Sequence, residues 1–119
     1  MSGLTTIWGG YCLTKLCTNC PNLTSIDLSS LTTIEGDGVM VNMITNCPNL
    51  TSIDLSSLTT MTGINIFSNA LKGTGIITFS VPNLTSIPQN GFVAAFYSST
   101  SQIEVFNAPK VAEIGSYGL

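Results

Sequence analysis

The stretch TNCPNLTSIDLSSLTT occupies residues 18–33 and returns unchanged at residues 45–60. Two identical copies set 27 residues apart are typical of a repeat array in which each copy forms one turn of a coil. Within the copy, Leu23, Ile26 and Leu28 have the spacing of a short strand whose side chains alternate between its two faces. The sequence therefore predicts a repeat solenoid, a right-handed coil whose turns stack through parallel β-strands.

The same period divides the whole chain. Leu4-Thr5-Thr6-Ile7 stands 27 residues before Leu31-Thr32-Thr33-Ile34, and later copies are more divergent. We expect one domain with turns at approximately residues 4–30, 31–57, 58–83 and 84–110, and a partial turn at 111–119. Strands are expected at residues 25–28, 52–55, 76–79 and 103–105, with a second ladder through the L-T-x-I segments.

Apolar positions of the repeat are predicted to fill the interior. They are Leu23, Ile26, Leu28, Leu31, Ile34, Leu50, Ile53, Leu55, Leu58 and Met61. On the convex side, Leu13, Leu16 and Cys17 have i, i+3, i+4 spacing, which predicts a helical turn. In the third turn, Ser68-Asn69-Ala70 is aligned with Thr-Asn-Cys of the copies, and Thr78 with Asp54. This alignment predicts Ile77 and Val105 inward, Ile76 and Phe106 on the exposed face, and two extra residues at the corner 81–83.

Composition excludes several kinds of partner. Charged residues are 8% of the chain against 44% hydrophobic residues, and three basic residues leave a net charge of -3. Without a basic patch we expect no binding to nucleic acid or to anionic membrane surfaces. No apolar stretch approaches the roughly 20 residues that span a bilayer, and residues 1–3 do not begin a signal peptide. We expect a soluble chain without membrane insertion, made in a cytoplasm.

The order of these segments resembles the BspA-like leucine-rich repeat. An L-x-x-I-x-L strand is followed by a polar corner, an L-T-x-I segment and an apolar convex segment closed by Asn-Cys, and Ile114-Gly-Ser-Tyr117 is similar to endings in that family. The resemblance implies a leucine-rich-repeat-like coil with short irregular or helical convex segments. It also implies a curved surface that binds other macromolecules at a cell surface or on a virion, and no catalytic residues.

Four cysteines fall in the first two turns. Cys20 and Cys47 occupy one position of successive copies, where the resemblance implies a buried cysteine that acts as a small hydrophobe. Cys17 and Cys20 also form C-x-x-C, which is typical of a redox pair or disulfide. Together with Cys12 and Cys47 they would supply the ligands of a four-thiolate zinc site. Since the sequence has no histidine, we prefer the structural role and expect neither metal nor cofactor.

Asparagine recurs at two aligned positions of the predicted turn. One position holds Asn19, Asn46 and Asn69, and the other holds Asn22 and Asn49. Amide side chains inside a solenoid hydrogen-bond the backbone of the adjacent turn, which supplies partners for corner groups. The tripeptides that begin at Asn22, Asn49 and Asn83 also match the N-glycosylation acceptor. The repeat generates that match by itself, so we prefer the structural interpretation.

Polar strand residues are predicted to share one exposed face, called here the strand face. Its candidate ligand-binding residues are Ser25, Asp27, Ser52, Asp54, Thr78 and Glu104. Asp27 and Asp54 are expected about 4.8 Å apart on neighbouring strands, where like charges repel. A cation or a basic partner group would relieve that repulsion, although two solvated carboxylates kept by duplication are the simpler interpretation. This face favours adhesion to protein or glycan.

Two further function classes find little support. A metal-dependent hydrolase would use Asp27, Asp54 and Glu104, but the chain has no histidine, no serine or cysteine with a base partner, and no phosphate-binding glycine pattern. We expect no enzyme. Rows of threonine at Thr5, Thr32 and Thr59 would suit ice or crystalline polysaccharide, yet threonine is simply a good exposed strand residue.

The ends of the coil are expected to associate. An open solenoid end exposes apolar core and strand edges unless it carries a polar cap, and neither end of this sequence has one. The expected contact residues are Leu4, Ile7, Trp8, Val111, Ile114, Tyr117 and Leu119. Such a head-to-tail contact gives a ring or a filament. The first hypothesis is thus a structural or scaffolding protein of a filament, virion or surface assembly; the alternative is an adhesion module using the strand face.

Overall fold

The computed structural model describes residues 3–92, 95 and 105–116, and these form a parallel-strand β-solenoid of about four turns. The predicted repeat solenoid is confirmed. Each strand is two or three residues long. The strands are β1 (Thr6–Trp8), β2 (Cys17–Thr18), β3 (Ser25–Asp27), β4 (Thr33–Glu35), β5 (Ile44–Thr45), β6 (Ser52–Asp54), β7 (Thr60–Thr62), β8 (Leu71–Lys72), β9 (Thr78–Ser80), β10 (Ser86–Ile87), β11 (Val105–Asn107) and β12 (Glu113–Ile114).

The strands fall into three ladders that run along the coil. The first ladder joins β1, β4 and β7 and continues in the pair β10 and β12; the second joins β2, β5 and β8; the third contains the pairs β3 with β6 and β9 with β11. In the first two turns the pairing keeps a shift of 27 residues, as at Ile7 with Ile34 and Ile26 with Ile53. The repeat in the sequence is therefore a stack of equivalent residues, or columns, in space.

The predicted helical turn on the convex side is wrong. The described residues contain no helix: Leu13 and Leu16 lie in turns and bends that lead into β2, and Cys17 is the first residue of β2. The backbone φ is positive at Tyr11, Lys15 and Asn19, with values of 55°, 53° and 55°. A right-handed helix cannot include such residues at every fourth position. The i, i+3, i+4 spacing instead reflects a chain that turns inward repeatedly. This segment leads into the second ladder, whose strands β2, β5 and β8 are two residues long.

Left-handed residues also form columns. The columns are Gly9, Gly36 and Gly63; Tyr11, Gly38, Asn65 and Asn90; Lys15, Asn42 and Asn69; and Asn19, Asn46 and Gly73. Glycine and asparagine adopt positive φ at the lowest cost. Backbone conformation, rather than a side-chain ladder, therefore explains why asparagine recurs at Asn19 and Asn46.

Asn69 belongs to a different column from the one predicted. The Asn42 N–H donates to the Ser68 carbonyl at 3.1 Å, and the Asn46 N–H donates to the Lys72 carbonyl at 3.0 Å. These bonds place Asn69 above Asn42, and Gly73 above Asn46. The alignment of Ser68-Asn69-Ala70 with Thr-Asn-Cys is wrong, and Thr74 takes the place of the corner cysteine.

The interior is filled as the apolar pattern predicts. Among the predicted core residues, Leu28, Leu31, Ile34, Leu50, Leu55, Leu58, Met61 and Ile26 are buried, whereas Leu23 and Ile53 are partly buried against them. The later turns use larger side chains, and their ring centroids lie 5.0 to 6.2 Å apart. The rings are Phe67, Phe79, Phe92 and Phe106. Aromatic contacts of this kind add to the apolar area that burial removes from water.

The strand of the third turn begins later than predicted, and the strand of the fourth turn ends later than predicted. The third strand was expected at residues 76–79 and is β9; the fourth was expected at 103–105 and is β11, with residues 103 and 104 outside the described part of the chain. Ile76 is buried and Ile77 is exposed, the reverse of the predicted orientation. Because Phe79 follows with its ring in the core, Phe79-Ser80-Val81 replaces Ile53-Asp54-Leu55, and the corner has no extra residues.

The fourth turn shows a one-residue error in register. Phe106 pairs with Phe79 and its ring lies 5.5 Å from it, while Val105 is exposed. The prediction had Val105 inward and Phe106 outward. A shift by one residue turns each side chain to the opposite face. The larger aromatic side chain takes the inward position because its burial removes more apolar area from water.

The glycine column at Gly9, Gly36 and Gly63 is required by close stacking. A Cβ on Gly36 would overlap the carbonyl group of Gly9, and a Cβ on Gly63 would overlap the carbonyl group of Gly36. Gly9 has a similar φ of 112° but its Cβ would meet only the Cys12 Sγ, at 3.5 Å. A substitution at Gly9 therefore tests backbone strain alone, whereas one at Gly36 tests backbone strain together with steric overlap.

We expect Gly36→Ala to destabilise the fold more than Gly9→Ala. The Gly9 variant should lose about 1–2 kcal/mol because alanine is strained at positive φ. Gly36→Ala should lose a further ~1–3 kcal/mol because the turns must separate. Chemical denaturation of both variants measures the difference. Equal losses would show that the overlap is relieved without cost.

Candidate functional site

The strand face places the predicted residues of the first two turns side by side. Ser25 pairs with Ser52 and Asp27 pairs with Asp54, and all four are exposed. Thr78 is exposed in β9, but it follows the column of Ser52 rather than that of Asp54. Glu104 lies outside the described residues. The aspartate column continues instead with Ser80 and Asn107, which pair with each other.

The two aspartates cap the corners that follow their strands. The Asp27 Oδ1 accepts a hydrogen bond from the Ser29 N–H at 2.9 Å, and the Asp54 Oδ1 accepts one from the Ser56 N–H at 2.9 Å. Aspartate commonly closes a turn in this way, by bonding the backbone two residues on. Both carboxylates therefore have a local structural role that the sequence analysis did not consider.

The later turns change both members of this cap together. Pro82 and Pro109 replace the serines, and proline has no N–H to donate. Ser80 and Asn107 replace the aspartates, and the Asn107 Nδ2 donates to the Ser80 Oγ at 3.1 Å. The patterns D-x-S and S-x-P or N-x-P are visible in the sequence, so this role was detectable there.

Capping also changes the acidity of Asp27. The hydrogen bonds from Ser29 lower the pKa of the Asp27 carboxyl below its ordinary 3.8, because they stabilise the charged form. Folding therefore favours the ionised carboxylate, although the side chain is fully exposed.

We expect Asp27→Asn to weaken the acid sensitivity of the fold. The pKa of Asp27 is lower in the folded chain, so its stabilisation is complete above pH 3.8 and is lost as the pH falls through the lower folded value. Asparagine keeps an oxygen for the Ser29 N–H but does not titrate. Thermal unfolding followed across the acid range should show a smaller decline for the variant. Parallel declines would contradict a role for this carboxylate.

A shallow groove opens where the strand face is interrupted. The described residues show no strand pairing between β6 and β9, and a groove of about 290 Å³ lies there. Its lining is Ser52, Ile53, Asp54, Leu55, Ser56, Ser80 and Pro82. A carboxylate and several hydroxyls at the rim of a small apolar floor can contact a sugar or a peptide side chain.

The cysteines are all free thiols. Cys12 is exposed, Cys17 and Cys20 are half-buried and Cys47 is buried. Burial is the main cause that raises the pKa of Cys17 and Cys47, since desolvation disfavours a thiolate. Among the residues that the structure describes, no group of three or more histidine, cysteine, aspartate or glutamate side chains is placed to hold a metal ion.

Side-chain ladders to the adjacent turn occur at other positions. The Asn49 Nδ2 donates to the Pro21 carbonyl at 2.6 Å, and the Asn83 Nδ2 donates to the Ser56 carbonyl at 2.6 Å. The Thr32 Oγ1 likewise donates to the Thr5 carbonyl at 3.1 Å. These bonds confirm the predicted role of Asn49, and they show that the threonine rows stabilise the stack.

The residues predicted for self-association differ in exposure. Trp8 is 79% exposed and Ile114 is 55% exposed, whereas Ile7 is buried and Leu4 and Val111 are partly buried. Tyr117 and Leu119 lie outside the described residues. Tyr11, which the sequence analysis did not select, is 65% exposed beside Trp8 on the first turn. Ile7 is therefore packed mainly within its own chain, whereas Trp8 and Ile114 are the exposed apolar residues of the described part of this set.

Comparisons with known proteins add no relative: no family model, no curated protein and no solved structure matches the chain. In the described part of the chain, no helix is long and apolar enough to cross a membrane.

Proposed function

We propose that the chain is a non-catalytic structural repeat protein that self-associates through the ends of its coil. The observation that carries this proposal is the exposure of Trp8 and Tyr11, at 79% and 65%, on a turn whose strands are all ladder edges. Aromatic side chains of this size are the usual anchors of protein interfaces.

Strand edges support the same surface. Among the described residues, β1, β2 and β3 each pair on one side only, with β4, β5 and β6. An unprotected edge offers its backbone groups to a further strand, and soluble proteins often block it with lysine or proline. The first turn, residues 4–30, carries only Lys15 and Asp27 as charged residues. Few charged side chains therefore prevent these edge strands from pairing with a second copy of the chain.

The columns of the stack provide a register for that second copy. The column of Ile7 and Ile34 continues through Met61 and Ile87 to Ile114. A first turn placed against β12 would put the next Ile7 over the exposed Ile114, at the spacing of the coil. This contact is heterologous, so it builds a ring or a filament. The resemblance to BspA-like repeats supports a filament, virion or cell-surface assembly as its setting.

We expect Trp8→Lys and Ile114→Lys each to reduce self-association. Each variant places a charge at the proposed contact, where desolvation disfavours it. Size-exclusion chromatography with light scattering at several concentrations measures the assembled mass against the 12.5 kDa chain. The control is Ile64→Lys, which changes a side chain of 41% exposure on an internal turn and should assemble as wild type does.

Two results would contradict self-association. One is a wild-type chain that stays monomeric at the highest concentration. The other is equal loss of assembly in Ile64→Lys and Trp8→Lys, which would show that general surface hydrophobicity causes the association. Far-ultraviolet circular dichroism must show that each variant keeps its fold.

Adhesion through the strand face is the second candidate, and the groove between β6 and β9 favours it. The lining of the groove combines the polar residues Ser52, Asp54, Ser56 and Ser80 with the apolar residues Ile53, Leu55 and Pro82. Ligand sites commonly combine an apolar lining with a few polar groups. The ligand class is a glycan or an extended protein segment.

We expect Asp27→Lys combined with Asp54→Lys to abolish such binding without preventing assembly. The probe is an array of immobilised glycans and extracellular proteins, compared between wild type and variant. Glu35→Lys with Asp37→Lys makes the same total charge change in the first ladder and the adjoining turn, and it should leave binding unchanged. Loss of assembly in the strand-face variant would instead identify that face as a subunit contact.

A further inference from the structure

Three of the four thiols meet at one corner of the coil. Cys17 begins β2, and Cys20 follows β2 by two residues; Cys47 follows β5 in the same way. Neither the proposed assembly nor the strand face uses these side chains. Neighbouring thiols can be oxidised to a disulfide, so these cysteines are a candidate redox site.

Cys20 and Cys47 are neighbours in adjacent turns. Thr18 pairs with Thr45, so two residues later Cys20 lies beside Cys47. Strands in a ladder are about 4.8 Å apart, and disulfides join Cα atoms separated by roughly 4.4–6.8 Å. The Cys20 N–H donates to the Cys47 Sγ at 3.4 Å, which brings the Cys47 sulfur to the backbone of Cys20.

The two sulfurs also have the same orientation. The Cys20 Sγ donates to the Thr18 carbonyl at 3.6 Å, and the Cys47 Sγ donates to the Thr45 carbonyl at 3.4 Å. Cys20 is half-buried whereas Cys47 is buried, so Cys20 is the more accessible thiol of the pair.

We propose that Cys20 and Cys47 form a reversible disulfide that ties the first turn to the second. The oxidant is a low-molecular-weight disulfide. The accessible Cys20 thiolate attacks one of its sulfurs and expels a thiolate, which leaves a mixed disulfide on Cys20. The Cys47 thiolate then attacks the Cys20 sulfur and expels the second thiolate. The two cysteine protons pass to the two leaving thiolates, so two small thiols are released for each disulfide formed.

A disulfide between Cys20 and Cys47 would stabilise the first turn against the second. The first turn has a stacked neighbour on one side only in the described coil, and Tyr11 and Lys15 hold positive φ where the second turn has Gly38 and Asn42. Non-glycine residues are strained there. In the third turn Thr74 occupies the column of Cys47, so the tie joins only the first two turns. Oxidation therefore ties down a turn that has one stacked neighbour in the described coil and strained backbone at Tyr11 and Lys15.

Treatment of the folded chain with oxidised glutathione tests the proposal. Cleavage before aspartate separates residues 1–26, which contain Cys12, Cys17 and Cys20, from residues 37–53, which contain Cys47. We expect these peptides to be linked, with a mass about two hydrogens below their sum, and dithiothreitol to separate them. A further cut after Lys15 assigns the linked half to residues 16–26.

Single substitutions identify the pair. Cys47→Thr copies the residue that the third turn already accommodates at this position, where the Thr74 Oγ1 donates to the Leu71 carbonyl at 3.0 Å. Cys47→Thr and Cys20→Thr should abolish the linkage, while Cys12→Ser and Cys17→Ser should retain it. A disulfide between Cys17 and Cys20, a disulfide between two chains, or no disulfide would each overturn the proposal.

Thermal unfolding gives a second readout. The loop closed by Cys20 and Cys47 should raise the midpoint of oxidised wild type by on the order of 10 °C over reduced wild type. Cys47→Thr should show no such rise under the same treatment. An oxidised wild type that melts at or below the reduced midpoint would show that the bond strains the corner rather than tying the turns.

Discussion

The structure depends on backbone hydrogen bonding between successive turns in strict register. Each turn must follow the path of the one before it, because a displaced turn would leave buried N–H and C=O groups without partners. This requirement selects the left-handed columns: the chain must turn inward at the same points in every turn, and glycine or asparagine stands at most of them. It also selects Gly36, where any side chain would meet the carbonyl of Gly9.

The fixed register between turns explains why residues that contact each other are replaced together in the later turns. Where serine becomes Pro82, the capping aspartate becomes Ser80, because the N–H that a carboxylate would accept no longer exists. Where isoleucine becomes Phe79, its neighbour in the next turn is Phe106, and Phe67 and Phe92 surround both rings. Sequence divergence thus keeps the backbone path and exchanges sets of interacting side chains.

The two identical copies made most of the fold predictable. Their spacing placed β3, β6 and the L-T-x-I strands, and alternation within the copy identified nearly all of the core. The convex segments were not predictable from hydrophobic spacing, since short inward turns reproduce the i, i+3 and i+4 pattern of a helix. The third turn was misaligned because Ile76 and Ile77 look like strand residues, and only the burial of Phe79 against the other rings decides the register. On the candidate site, the pairing of Asp27 with Asp54 followed from the repeat, but their bonds to Ser29 and Ser56 required attention to the residue two positions on.

Many of the polar residues have structural roles, which leaves few residues as candidates for contact with a partner. Asp27 and Asp54 cap corners, asparagines supply backbone conformation or bond the adjacent turn, and threonine hydroxyls bond the carbonyls of the turn before. Such residues would recur in any coil of this period, whatever its partner. Trp8 and Tyr11 are different. Most of each side chain is exposed, so that part adds nothing to the packing of the stack and leaves a large apolar surface in contact with water. In the described coil the strands of this turn pair on one side only, so the self-association proposed above would cover both the strand edges and the exposed side chains.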